Sequence, residues 1–336
     1  MGKRILCILL TALLLLLPLS GCRKQKQPYT VTYLDMFDTV TTILGTQDSE
    51  AQFQQAAQQI RDELLRYHRL FDIYNEYENL SNLKTVNDQA GVAPVTVDAP
   101  VIELLKDCKT YYERTGGKVN VAMGSVLRLW HEARQAEIAK LPDREALTEA
   151  ADHTDIACVK IDENASTVYL TDGAMSLDVG AVAKGWAVQE AAQSAPEGML
   201  ISVGGNVYAT GAKDQDGEPW IVGIQDPANS SEMICKLSLA HGAVVTSGDY
   251  QRTYRVDGKD YHHIIDPTTR MPSAYFRSVT VVAEDSALAD ALSTALFLLP
   301  LEEGKALAER WGVDAFWVDG EANTYMTDGF ETLLYQ

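Results

Sequence analysis

"SLDVGAVAKGWAV", residues 176–188, reads as a strand that ends in a glycine turn and feeds a helix. Its only charges are Asp178 and Lys184, six residues apart in an apolar run. A lysine before a glycine at such a junction suggests phosphate binding, but a P-loop needs two glycines and a closing Lys-Ser/Thr, and this spacing differs. The flanking patterns decide what kind of sheet the strand joins. Helical periodicity covers 49–70, with Ser49 as cap, and 100–115, which starts at Pro100 and stops at Gly116-Gly117. It recurs at 184–194, 286–299 and 302–311. Strand patterns fall at 31–44, 156–161, 166–171, 199–209, 219–225, 233–239, 252–256, 260–265, 278–283, 313–318 and 323–327. "RTYRVDGKDYHHII" places two alternating runs around Asp257-Gly258, a hairpin signature. Hairpins and consecutive strands dominate, so the pattern predicts α+β: mostly antiparallel, mixed sheets with packed helices rather than a doubly wound fold.

The first residues stand apart. Lys3 and Arg4 precede an apolar run over 5–19, and "LSGC" closes it at Cys22. This is the pattern of a lipoprotein signal peptide over 1–21, with Cys22 the lipidated residue, a linker over 22–30 and one domain over 31–336. A transmembrane anchor is the competing reading, but the run of about 15 apolar residues falls short of the ~20 that span a bilayer. The expected location is the cell membrane, lipid-anchored on its extracytoplasmic face. The chain carries 47 acidic and 28 basic residues, a net charge of −19, and signal cleavage removes two of the cations. Such a chain has no field for nucleic acid and would repel a free anion. Any phosphate it binds must be held locally, by backbone N–H groups, a few cations or a metal ion. Cys108, Cys158 and Cys235 are too widely spaced for a zinc site and too few for a disulfide framework.

Chemistry concentrates in "SALADALSTALFLL", 286–299. Asp290, Ser293 and Thr294 share one helical side, yet apolar residues flank them, as in a buried helix. A buried carboxylate must be ion-paired, hydrogen-bonded or bound to a metal. Aspartate with a hydroxyl one turn on offers hard oxygen ligands, which suit Mg²⁺ or Ca²⁺, but a structural ion pair reads the same way. Gly204-Gly205 closes an apolar strand, as a tight turn or as backbone brought against a ligand. His262 and His263 are adjacent and so point to opposite sides of a strand. No H-E-x-x-H, G-x-S-x-G or G-x-G-x-x-G occurs.

In chain order, "FDIYNEYENLSNLKTVN" (71–87), "VNVAMGSVLRLWHEA" (119–133), "LDVGAVAKGWAV" (177–188), "ISVGGNVYATG" (201–211), "WIVGIQDP" (220–227), "TSGDYQRTY" (246–254), "HHIIDPTTR" (262–270) and "ADALSTALFLLP" (289–300) closely resemble the FAD:protein FMN transferase, or ApbE-like, family. The resemblance covers the chain from about residue 31. It implies a Mg²⁺-dependent enzyme, often a lipoprotein, that uses FAD as substrate. The FMN half goes through a phosphoester to a Thr or Ser of an acceptor protein, of the electron-transfer or sodium-pump subunit type, and AMP is released. Matched position by position, it implies FAD contacts at Phe37, Tyr74, Ala122, Met123, Gly124, Asp178, Lys184 and Ile265. It implies metal ligation by the Ala181 carbonyl, Asp290 and Thr294, with Ser293 in the same turn. Two departures stand out: "FDT" at 37–39 replaces M-G-T, and Arg270 stands where a glycine is usual. The second either changes the φ preference of the turn or places a cation near the site.

These residues would give the quoted stretch a mechanism. Phosphoryl transfer needs the diphosphate charge neutralised and the nucleophile placed in line. The attacking hydroxyl belongs to the partner, so no covalent nucleophile is needed here. His263 is the expected catalytic base, because imidazole titrates near neutral pH; positioning the phosphate is its alternative role. Two rival functions remain: FAD hydrolysis to FMN and AMP, and non-enzymatic flavin binding or delivery.

Overall fold

Two runs expected as single strands are hairpins, and they open the sheet that organises the molecule. In the computed structural model, which describes residues 28–336, β1 (Tyr29–Met36) and β2 (Thr39–Gly45) turn at Phe37-Asp38. Both turn residues have positive φ, 53° and 50°, the combination that matches the twist of a two-residue hairpin. β6 (Met199–Val203) and β7 (Asn206–Ala209) turn likewise at Gly204-Gly205. β10 (Gly242–Gly248), β13 (Phe276–Ala283), β14 (Asp314–Asp319) and β15 (Thr324–Met326) continue the sheet, in the order β1-β2-β6-β7-β10-β13-β14-β15. Every neighbouring pair is antiparallel, as the sequence predicts.

Helices bury the inner face of this sheet. α1 (Glu50–Phe71) turns Phe53, Ala57, Ile60, Leu64 and Leu70 inward at three- and four-residue spacing. Ser49 caps it by accepting from the Gln52 amide. α2 (Leu83–Asp88) and α3 (Ala99–Arg114, with Pro in its first turn) follow. Four helices lay outside the helical patterns read from sequence: α2, α4 (Gly124–Gln135), α5 (Arg144–Ala151) and a short one at Asp328–Thr332. α6 (Ala183–Gln193) and α7 (Ser286–Phe297) cross the middle of the sheet, and α8 (Leu301–Trp311) ends at Gly312 in the left-handed region, φ 65°. α7 is buried almost all round, as its composition demands. The other face of the sheet is covered by the hairpin of β8 (Trp220–Gln225) and β9 (Met233–Leu239) and by α9 (Asp328–Thr332), through Trp220, Leu237, Phe316 and Phe330.

A smaller sheet of β3 (Val95–Thr96), β5 (Thr167–Leu170) and β4 (Val159–Asp162) packs beside α2. A third cluster joins α4 and α5 to the hairpin of β11 (Thr253–Val256) and β12 (Lys259–His262) through Met123, Trp130, Leu147 and Ile265. That hairpin turns at Asp257-Gly258 as expected. Among the described residues no helix is long and apolar enough to cross a membrane, and Cys22 lies outside them.

Candidate active site

Residues 176–182 are not a regular strand. A single parallel bridge ties Ser176 to Met123, the Gly124 amide donates to the Ser176 carbonyl at 2.9 Å, and the Asp178 amide donates to Val121 at 2.8 Å. Asn87 holds Leu177 from the other side, through both its backbone amide and its carbonyl. The segment is thus pinned extended against 121–124, which brings Ala122, Met123, Gly124 and Asp178 together. Ile265 packs into the same cluster as Met123. Asp178 Oδ1 accepts from the Gly180 amide at 2.9 Å, and α6 begins at Ala183. Desolvation raises the Asp178 pKa, opposed by that amide, Arg252 and His131.

Lys184 and Asp178 do not pair with each other. The Lys184 ammonium instead lies 3.6 Å from Asp290 Oδ2, and the Gly185 amide donates to that same oxygen at 2.8 Å. This contact exists because residue 185 is glycine: a Cβ there would stand 2.5 Å from the Asp290 Cβ and against the Ser286 carbonyl. Burial drives the Asp290 pKa up; Lys184, the Gly185 amide and the nearby Asn206 side chain oppose it. Both the ion-pair and the metal readings of Asp290 therefore meet at one carboxylate. Ser293 has other work: its hydroxyl is 2.7 Å from Ser247 Oγ on β10 and donates to the Asp290 carbonyl, locking helix to strand. Thr294 is half-buried one turn beyond Asp290.

Among the described residues no three His, Cys, Asp or Glu side chains converge as a metal cluster. A cation here would draw on one buried carboxylate together with neutral oxygens, the Thr294 hydroxyl and the Ala181 carbonyl. That donor set is all oxygen and suits Mg²⁺.

Histidines 262 and 263 divide as their alternation requires. His262 Nδ1 accepts from the Ile264 amide at 3.2 Å, so Nε2 carries the hydrogen and donates to the Ser273 carbonyl at 2.8 Å. His263 Nδ1 is enclosed in protein without a hydrogen-bond partner, which leaves Nε2 as the nitrogen a ligand can meet. Burial, then the charges of Arg252, His262, Lys184 and Arg134, push the His263 pKa down to about 3. Its imidazole is neutral at physiological pH.

Tyr74 stands 54% exposed at the mouth, with its ring stacked on His131 at 5.4 Å. Asp72 builds the loop that presents it. Burial disfavours the Asp72 charge, but bonds from the Asn75 side chain, the Tyr74 and Asn75 amides and the Tyr77 hydroxyl outweigh this and hold its pKa low. Phe37 sits at the turn of β1–β2, its amide donating to His68 Nδ1 and its ring edge-on to that imidazole. Its partner is thus His68, while the neighbouring Asp38 acts electrostatically on Tyr74.

Arg270, the residue in the usual glycine position, adopts φ 61°, so the turn keeps a left-handed geometry without glycine. Its amide donates to Asp266 and its carbonyl accepts from Trp130 Nε1 at 2.9 Å, which hold that conformation. Three residues of the mouth escaped sequence reasoning: His131, Arg134 and Arg252. The first two lie one turn apart on α4, and Arg252 is a single cation in a polar loop. Their only available signal was positive charge in an acidic chain.

A long antiparallel sheet flanked by buried helices, with a lysine–aspartate pair and a neutral histidine among cations, defines an α+β protein whose site suits an anionic ligand. Residues 29–317 match the sequence model of the ApbE family, and the chain belongs to that family. A relative named FAD:protein FMN transferase, from Treponema pallidum, is 37% identical over 257 residues, covering 71% of this chain and 70% of its own length. One of the same name from Klebsiella pneumoniae is 34% identical, covering 74% and 81%. The crystal structure of the ApbE protein of Thermotoga maritima superposes with a TM-score of 0.83 at 30% identity, covering 92% of this chain and all of that one. The flavin transferase ApbE of Vibrio cholerae shares the fold at 24% identity, TM-score 0.76.

Proposed function

We propose that this chain is an FAD:protein FMN transferase, which moves the FMN half of FAD onto a Thr or Ser hydroxyl of an acceptor protein and releases AMP. The observation that carries the reading is the neutral His263 beside the Lys184–Asp290 pair, at a mouth where Tyr74 is exposed. The acceptor hydroxyl oxygen forms the new bond to the FMN phosphorus, and the bond to the AMP phosphate breaks with its electron pair leaving on AMP. His263 Nε2 takes the hydroxyl proton. Burial, and then the surrounding cations, make it a weak base in the absence of substrate; an anionic diphosphate offsets the cations' share and raises its basicity. Lys184 and the α6 N-terminus hold phosphate oxygens, and Tyr74 offers the flavin or adenine a stacking face. Asp290, Thr294 and the Ala181 carbonyl would hold Mg²⁺, which supplies positive charge against the diphosphate when bound. We also propose that Cys22 carries lipid and keeps the enzyme on the extracytoplasmic membrane face, beside electron-transfer or sodium-pump acceptors.

The test is AMP release from FAD and Mg²⁺, with and without a candidate acceptor protein. AMP formed only with acceptor is expected. AMP without acceptor would point to hydrolysis, and none in either case to a binding protein. Asp290→Asn is expected to cut turnover at least about 100-fold, the cost of losing a charge aimed at the reacting group, with the melting transition still cooperative. Full turnover in that variant would remove the metal assignment.

A further inference from the structure

We propose that His131 is a positioning residue for the dinucleotide. Held by Arg134, its imidazole backs one face of the Tyr74 ring and so fixes how the other face meets a planar ring of the ligand. This deepens the flavin-transfer reading above and rests on it. The Tyr74 and His131 rings lie 5.4 Å apart at an interplanar angle of 29°, a stacked pair, while Tyr74 stays 54% exposed. An aromatic ring has two faces, and His131 takes one of them. The backbone of Tyr74 is already fixed, since its amide and that of Asn75 donate to Asp72 Oδ1 at 2.7 Å and 3.1 Å. Those bonds leave the side-chain torsions free, and an exposed side chain changes rotamer within nanoseconds. The stack on His131 is what holds the ring itself.

His131 is held in its turn. Arg134 lies one turn further along α4, and its Nη2 stands 3.1 Å from His131 Nδ1. A guanidinium only donates, so Nδ1 accepts and the hydrogen sits on Nε2. Turning the imidazole over would lose that bond. The helix beneath cannot roll, because the Trp130 indole donates to the Arg270 carbonyl and Ser125 Oγ to the Ala150 carbonyl, both at 2.9 Å. Both sides of the stack also rest on the segment that carries Asp178. α4 starts where the Gly124 amide donates to the Ser176 carbonyl. α2 reaches the next residue through Asn87, whose side chain bonds the Leu177 amide and carbonyl. The Tyr74 loop sits on α2: the Lys84 amide donates to the Asp72 carbonyl, and the Asn82 side chain to the Asn75 carbonyl, both at 2.9 Å. From Gly124 to His131 the helix rises about 10 Å, so the stack bridges α4 and the Tyr74 loop above residues 176–178. The Asp178 charge accordingly acts on both rings.

The test is titration of FAD with Mg²⁺ into the full-length chain, read by the change in flavin absorption and fluorescence. His131→Ala is expected to weaken FAD binding about three- to tenfold, the worth of one aromatic stack. His131→Phe, which keeps a flat face against Tyr74, should recover most of that loss. In a Tyr74→Ala background the His131→Ala step should cost less than about twofold, because no ring remains to be positioned. His131 is half-buried, so a melting curve checks each variant. Should His131→Ala not fold, Arg134→Met carries the test, since it keeps the imidazole and removes its donor. Unchanged FAD affinity in folded His131→Ala, or in Arg134→Met where that variant stands in, overturns the proposal. So does a His131→Phe variant with no recovery. An equal loss in the Tyr74→Ala background overturns it too, since His131 would then touch the ligand itself. A wild type that does not bind FAD sinks the flavin-transfer reading together with this proposal; one that binds FAD with an insensitive His131 sinks the proposal alone.

Discussion

Arg270 carries a left-handed backbone that side chains with a Cβ adopt at a cost of about 1–2 kcal/mol. Arg270→Gly should therefore stabilise the protein by about 1 kcal/mol in urea denaturation, while the Trp130 bond to the residue 270 carbonyl persists. His263 offers a second prediction at this scale. Its folded pKa of about 3 lies below the ordinary 6.5, so the unfolded chain takes up the proton first. Stability from this group is complete above pH 6.5 and is lost as the pH falls from 6.5 toward 3, by about 1.4 kcal/mol per pH unit inside that window. The raised pKa values of Asp178 and Asp290 have the opposite sign, so a direct comparison isolates the histidine. His263→Gln should flatten the fall in stability between pH 6 and pH 4.5, read by denaturant midpoints; a slope unchanged from wild type would contradict the assignment.

At the scale of elements, the decisive contact is α6 on α7 through Gly185. Alanine has the better helix propensity, by about 1 kcal/mol, but its methyl would enter Asp290 and the Ser286 carbonyl. Overpacking wins, and Gly185→Ala should destabilise by about 2 kcal/mol and weaken FAD binding through the displaced Asp290. A more stable variant with normal FAD affinity would refute the close approach. This contact also explains what the sequence could and could not convey. Periodicity marked α7 as buried and Asp290 as needing a partner, because both follow from local composition. It could not say that the partners would be Lys184 and the Gly185 amide, more than 100 residues away. The runs 31–44 and 199–209 read as single strands, since the Phe37-Asp38 turn lacks the usual Asn-Gly chemistry and Gly204-Gly205 reads equally as a bulge. α4 went unread because its buried positions, Val126, Trp130 and Ala133, are interleaved with His131, Arg134 and glutamate. With that helix missed, His131 and the cationic Arg134 were missed too.

For the whole molecule, the balance of charge sets how ligand and fold are coupled. An acidic chain gathers Lys184, Arg134 and Arg252 at one mouth, so an anionic dinucleotide binds the folded state and has no equivalent site in the unfolded one. FAD with Mg²⁺ at about 100 times its dissociation constant should then raise stability by about 2.7 kcal/mol, seen as an upward shift of the melting transition. EDTA should remove the part of the shift that depends on the cation. A shift identical with and without EDTA would show that dinucleotide binding draws nothing from the cation.

The β1–β2 hairpin sets a standoff. Tyr29 pairs with Gly45 at one end of β1, and the eight residues that follow run to the turn beside Tyr74 at the other. At roughly 3.4 Å per residue the seven steps of the strand separate its two ends by at most about 24 Å. Chain entering at residue 29 does so at the end of β1 remote from the Phe37-Asp38 turn, so whatever precedes it meets the fold on the side away from that turn.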